Sequence, residues 1–222
     1  MNIYDYIDEY GIYSFSEKEF NEVDSAIFSF LSYADFSNIF EGEKMTIQEI
    51  GRKHIGLHSK KENNVIAVRE GNRILKYLKD TKRYRNCLIY NHKYEGTEDI
   101  QFGVIAIEYQ KNEIYVSFEG TDELISGWKE NLFLSYKFPT KSHLKAISYL
   151  NRNYTFSNKK IIVGGHSKGG NLAIVAGAYA NFFVRKKIKK VYNFDGPGLL
   201  EKEYYGKAFQ KILPKYIHII PD

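Results

Sequence analysis

The residues best placed to do chemistry are Gly165-His166-Ser167-Lys168-Gly169, a G-x-S-x-G pattern. The pattern alone says little, but its setting says more. An apolar, β-rich run, Ile161 to Val163, precedes it, and a stretch that reads as an amphipathic helix, Lys168 to Ala180, follows. Strand, tight turn and helix in that order form a nucleophile elbow. So tight a turn leaves no room for side chains at the flanking positions, hence Gly165 and Gly169. The Ser167 hydroxyl is then held clear of the sheet edge. The first amides and the positive end of the helix face the space where an oxyanion would develop. A glycine-rich helix start that merely turns the chain, or that binds phosphate, is the bland alternative.

Attack on a carbonyl needs a second oxyanion donor, an acid and a base. The segment Val116-Ser-Phe-Glu-Gly-Thr-Asp122 ends a strand at Gly120, and the Thr121 N–H, opposite that of Lys168, is the candidate donor. A plain strand-ending turn explains Gly-Thr-Asp equally well. In this type of fold the chain order is serine, acid, histidine. Two aspartates follow strands beyond the elbow: Asp195, after Val191 to Phe194, and Asp222, after a strand ending at Ile220. After Ser167 the sequence holds one further histidine, His218, inside that final strand, where a core role is expected. His166 adjoins the serine, but the elbow turns its side chain away. The base is therefore expected downstream of Asp222, with the C-terminal part of the domain continuing beyond that residue.

Several elements must position these groups. Ser16 to Glu19 has capping-box spacing, and Phe20, Val23, Ile27 and Leu31 recur at helical intervals. Thr46 to Glu49 offers a second box, and Ile74, Leu75 and Leu78 a further helix. Residues 102–107 and 114–118 read as a β-hairpin turning at Lys111-Asn112. Thereafter the chain alternates: helix from Pro139 to about Tyr149, strand 160–165, helix 168–180, strand 188–194, helix 202–213 and strand 216–220. We therefore expect an α/β protein with a mixed, mostly parallel sheet and helices on both faces. We expect residues 1–222 to make a single domain that lacks its C-terminal part, with 1–85 a helical N-terminal portion packed on the sheet.

Phe118-Glu-Gly-Thr-Asp122, Gly127-Trp-Lys-Glu130 and Gly164-Gly-His-Ser-Lys-Gly-Gly-Asn-Leu-Ala173 together resemble an uncharacterised bacterial branch of the α/β-hydrolase superfamily, which is similar to the fungal-type (class 3) lipases. Phe20 to Asp24, Leu31 to Tyr33, Gln101-Phe102 and Asn193 to Gly198 match its pattern too. The resemblance implies an α/β-hydrolase fold, Ser167 as nucleophile, Thr121 with Lys168 in the oxyanion hole, and Asp222 ahead of Asp195 as the acid. It implies an esterase or lipase-like activity through an acyl-enzyme on a small-molecule or lipid ester. A catalytically silent binding or regulatory module on the same fold is the alternative. Lys168 stands where lipases usually carry a leucine-like residue. We expect either a solvated lysine or, as a substrate-binding group, contact with an anion on the substrate.

Composition bounds the rest. The chain has 222 residues, enough for one real core. The net charge of +5 is spread among interspersed acids, which gives no nucleic-acid footprint. The single cysteine, Cys87, excludes an intrachain disulfide and is expected to be buried. No metal-ligand spacing, dinucleotide fingerprint or P-loop order is present, so no metal and no cofactor are expected. The acidic N-terminus carries no secretory signal, and the longest apolar run is too short to span a bilayer, so we expect a cytoplasmic protein. Arg185 to Lys190 reads as a solvated basic loop, with weak peripheral membrane contact as the minority reading. Trp128 reads as a core or lid anchor. Oligomeric state is not legible.

Overall fold

The computed structural model describes residues 2–37, 44–55, 65–97, 100–121 and 132–220. Asp222, Asp122, Gly127 and Trp128 lie outside the described residues. The chain begins with helices α1 (Ile3–Tyr10) and α2 (Glu22–Leu31), strand β1 (Met45–Thr46), and helices α3 (Ile47–Ile55) and α4 (Ile66–Leu78). The strands β2 (Leu88–Gly96), β3 (Gln101–Gln110) and β4 (Glu113–Phe118) follow. Alternation then sets in with α5 (Lys141–Tyr154), β5 (Lys160–His166), α6 (Lys168–Tyr179), α7 (Phe182–Lys187), β6 (Ile188–Phe194), α8 (Glu201–Tyr204), α9 (Lys207–Gln210) and β7 (Tyr216–Ile219).

The seven strands form one mixed sheet in sequence order, β1 to β7. The first three pairings are antiparallel and the last three parallel. This order determines which helix lies where. Strands added one after another by crossovers of the same hand put every crossover helix on one face. Accordingly Leu150, Leu172, Ile174, Phe209 and Ile212 pack with Val116, Val163 and Val191 on one side of the sheet. The other face would be bare without the N-terminal helices. Ile27, Phe28, Leu31, Leu75 and Leu78 cover it, packing on Ile105, Ile107, Tyr115 and Ile162. Both faces being covered, β4 and β5 read as continuous apolar runs.

Several starts and stops differ from the sequence expectation. Helix α2 begins at Glu22, not near Ser16, because Asn21 caps it: its side chain accepts from the Val23 and Asp24 amides, and Asp24 reciprocates. Glu17 instead bonds back to Ser14 in a turn. The Thr46–Glu49 box forms as expected. The helix expected over 202–213 is two short helices, α8 and α9, since Gly206 takes extended backbone between them. Helix α6 is not amphipathic: every residue from Lys168 to Ala178 is buried. Its glycines and alanines let it lie close between the sheet and α5. The basic cluster is not a solvated loop. Lys187 Nζ donates to the Tyr154 and Thr155 carbonyls at the end of α5, at 2.7 and 2.8 Å. Cys87 is buried, and burial pushes its thiol pKa up.

The N-terminal layer is anchored by an ion pair with no solvent exposure. Arg83 grips Asp24 through Nε (2.8 Å) and an Nη (2.6 Å), while the Tyr84 hydroxyl donates to Asp24 at 2.6 Å. Arg83 also donates to the Lys18 and Glu19 carbonyls, which fixes the loop entering α2. Among the described residues no helix is long and apolar enough to cross a membrane.

Candidate active site

Strand β5 carries the chain out to the carboxyl edge of the parallel strands, and α6 carries it back. Ser167 makes the turn with φ 55° and ψ −129°. An L-residue holds such a conformation only at a cost of about 1–3 kcal/mol, when its surroundings enforce it. Here its N–H donates to the Phe194 carbonyl at 2.9 Å and its carbonyl accepts from the Gly170 N–H at 2.9 Å. The hydroxyl makes no cap bond to its own helix, and the residue is half-buried.

The flanking glycines are required by backbone contact. A Cβ on Gly165 would lie 2.4 Å from the Gly169 carbonyl carbon and 2.6 Å from the Phe118 oxygen. A Cβ on Gly169 would lie 2.1 Å from that same oxygen. The end of β4 thus rests on the elbow, in keeping with the parallel register Phe118↔Gly165. The next residues continue the contact. A Cβ on Gly120 would meet the His166 carbonyl oxygen at 2.6 Å and the Tyr33 hydroxyl at 1.8 Å. Thr121 therefore follows directly on a residue that touches the elbow. Its Oγ1 is buried with no hydrogen-bond partner among the described residues.

Lys168 is corrected on one point. Its side chain is neither solvated nor turned to meet a substrate anion: it is completely buried, and Nζ donates to both the main-chain and the side-chain oxygen of Gln101. His166 is turned aside, as expected. Its ring packs on Phe30 at 4.6 Å between centroids, and Nδ1 lies 3.0 Å from the Tyr33 hydroxyl. Burial lowers its pKa, and the Asp195 carboxylate opposes that shift. His218 is exposed, not in the core, because β7 pairs among the described residues only with β6 and its register partner is Asn193.

Asp195 is exposed and sits at φ 51°, its N–H donating to the Ile219 carbonyl at 2.8 Å. The loop behind it is held by residues that sequence reasoning did not single out. Asn193 exchanges two bonds with Gly196, at 3.0 and 3.1 Å. Asn171 of α6 donates to the Pro197 and Gly198 carbonyls. His143 completes the chain. Its Nδ1 accepts from the Thr140 N–H at 3.0 Å, so its Nε2–H donates to Asn171 Oδ1 at 2.7 Å. Behind Tyr33 a cavity of about 90 Å³ is bounded by Asp35, His92 and Glu119. Burial pushes the His92 pKa down to about 4, with Asp35 opposing. Among the described residues no cluster of three His, Cys, Asp or Glu side chains is placed to hold a metal ion.

A strained serine between a parallel strand and a buried helix, on a mixed sheet covered on both faces, defines an α/β-hydrolase fold. A solved structure agrees at the level of fold. The structure of a fungal lipase–inhibitor complex is similar with a TM-score of 0.51 and 15% identity, over 89% of this chain and 69% of that one. The M37 lipase structure is similar with a TM-score of 0.48 and 15% identity, over 88% of this chain. The chain spans 65% of the length of the M37 lipase chain. No curated protein matches in sequence. The Mbeg1-like family model matches residues 78–222, well over half of the chain, and the chain belongs to the Mbeg1-like family.

Proposed function

We propose that this protein is a serine hydrolase acting on esters, lipid-like or otherwise, through an acyl-enzyme. The supporting observation is the Ser167 backbone. A simple connecting turn has no need of a strained non-glycine residue with two glycines locked against backbone on either side. A nucleophile elbow needs both.

In this proposal Ser167 Oγ attacks the ester carbonyl carbon as a base takes the hydroxyl proton. The Lys168 and Thr121 N–H groups donate to the negatively charged tetrahedral oxygen. Collapse expels the alcohol, which recovers the proton from the base, and water then cleaves the acyl-enzyme by the same route. Asp195 or Asp222 orients the base. His166 gives its ring to Tyr33, which leaves the base to another residue, one that follows the acid in the chain order of the triad. The turned ring of His166 also favours the second reading, a silent binding module.

A fluorophosphonate probe separates the two. Labelling of Ser167, lost in Ser167→Ala, supports the hydrolase. An intact, folded protein that stays unlabelled contradicts it.

A further inference from the structure

Lys168 and Gln101 pose a problem of chemistry. Both are fully buried, and an ion in the interior carries a desolvation cost of several kcal/mol unless its partners repay it. An apolar side chain at 168 would fill the same space without that cost. One thing the ammonium does is constrain an amide. A lysine ammonium only donates, so the Gln101 atom that faces it is Oε1. The other end of the amide, Nε2, then has one direction left. It donates to the Gly120 carbonyl at 3.0 Å. The contact is chemically consistent at both ends, acceptor towards the ammonium and donor towards the carbonyl.

The Gly120 carbonyl belongs to the same peptide unit as the Thr121 N–H. In a trans peptide the two point in opposite directions. Holding the carbonyl towards Gln101, in the interior, therefore turns the Thr121 N–H away from Gln101. We propose that Gln101, set by the Lys168 ammonium, is a positioning residue that aims the Thr121 N–H at the oxyanion site. This rests on the nucleophilic role proposed above for Ser167. It gives the buried lysine a use. One residue then supplies an oxyanion donor from its main chain and, through Gln101, orients the second donor with its side chain.

Gln101→Glu is the discriminating variant. It keeps the volume and leaves Lys168 an acceptor at the same place, but it sets a carboxylate oxygen against the Gly120 carbonyl. Fluorophosphonate labelling and hydrolysis of a p-nitrophenyl ester should slow by about 100-fold, in kcat and not KM, as expected for a lost oxyanion donor. The circular dichroism spectrum should be unchanged. Lys168→Met, which frees the amide to turn, should show the same kcat loss and serves if the glutamate variant does not fold. Rates within about threefold of wild type in the folded variants overturn the proposal. If the wild-type protein is never labelled, it is the hydrolase assignment that fails. The positioning role is then read from a crystal structure of Gln101→Glu. A Gly120 carbonyl turned away from residue 101 supports it, and an unchanged peptide overturns it.

Discussion

Replacing Arg83 by methionine removes the cation from the ion pair that anchors the N-terminal layer. The Asp24 carboxylate accepts four hydrogen bonds: two from Arg83, one from the Tyr84 hydroxyl and one from the Asn21 N–H. Arg83→Met deletes two of the four and all of the compensating charge, at a site with no solvent access. Breaking one side of such a pair costs about 3–5 kcal/mol. Asp24→Asn should cost towards the lower end, since Arg83 keeps its bonds to the Lys18 and Glu19 carbonyls. Asp24→Asn combined with Arg83→Met removes both ions together and should cost well under the sum of the single changes, with a coupling of more than about 1.5 kcal/mol. The assay is urea unfolding, read as the midpoint shift multiplied by the slope. Single variants losing less than about 1 kcal/mol, or a strictly additive double variant, would refute the anchor.

Further outcomes follow from the same geometry. Gly169→Ala drives a methyl group to within 2.1 Å of the Phe118 oxygen, a main-chain atom. It should cost at least about 1–3 kcal/mol and abolish labelling of Ser167; wild-type stability would contradict this. Lys168→Leu should slow neutral and anionic esters equally, because the ammonium is fully buried and bonded to Gln101; a loss confined to anionic esters would show that it meets the substrate. The His92 pKa is about 4 when folded and 6.5 when exposed, so the unfolded chain binds the proton more readily between those values. Stability is full above pH 6.5 and is lost as the pH falls towards 4, by no more than about 3 kcal/mol. Burial moves His166 in the same direction. Thermal unfolding at pH 7.5 and 5 checks this: His92→Asn should flatten the dependence, and an unchanged slope would refute it.

What is legible in the sequence is local. The elbow, the hairpin and the three parallel strands can be read because β-branched runs, Asn112 at φ 64° and paired glycines announce themselves within a few residues. Strand β2 is hidden because its alternation breaks: Asn91 sits at φ 52° and the register slips between Tyr90 and Lys93. Helix α6 reads as amphipathic and is not, since nothing in Gly-Gly-Asn-Leu-Ala says that its outer face is also covered. Lys168 reads as a surface charge for a related reason. Its partner Gln101 lies 67 positions away in sequence, and no periodicity connects them. Tyr33, Gln101 and Asn193 carry a signal only through family resemblance. Their roles depend on what the fold brings to one sheet edge.

The central claim is that Ser167 is held in a strained elbow as a nucleophile. Incubating the protein with a fluorophosphonate and mapping the adduct by mass spectrometry tests it directly. We expect a single adduct on the peptide bearing Ser167, absent in Ser167→Ala. A folded protein with no adduct there, or with labelling that survives the alanine change, would contradict it.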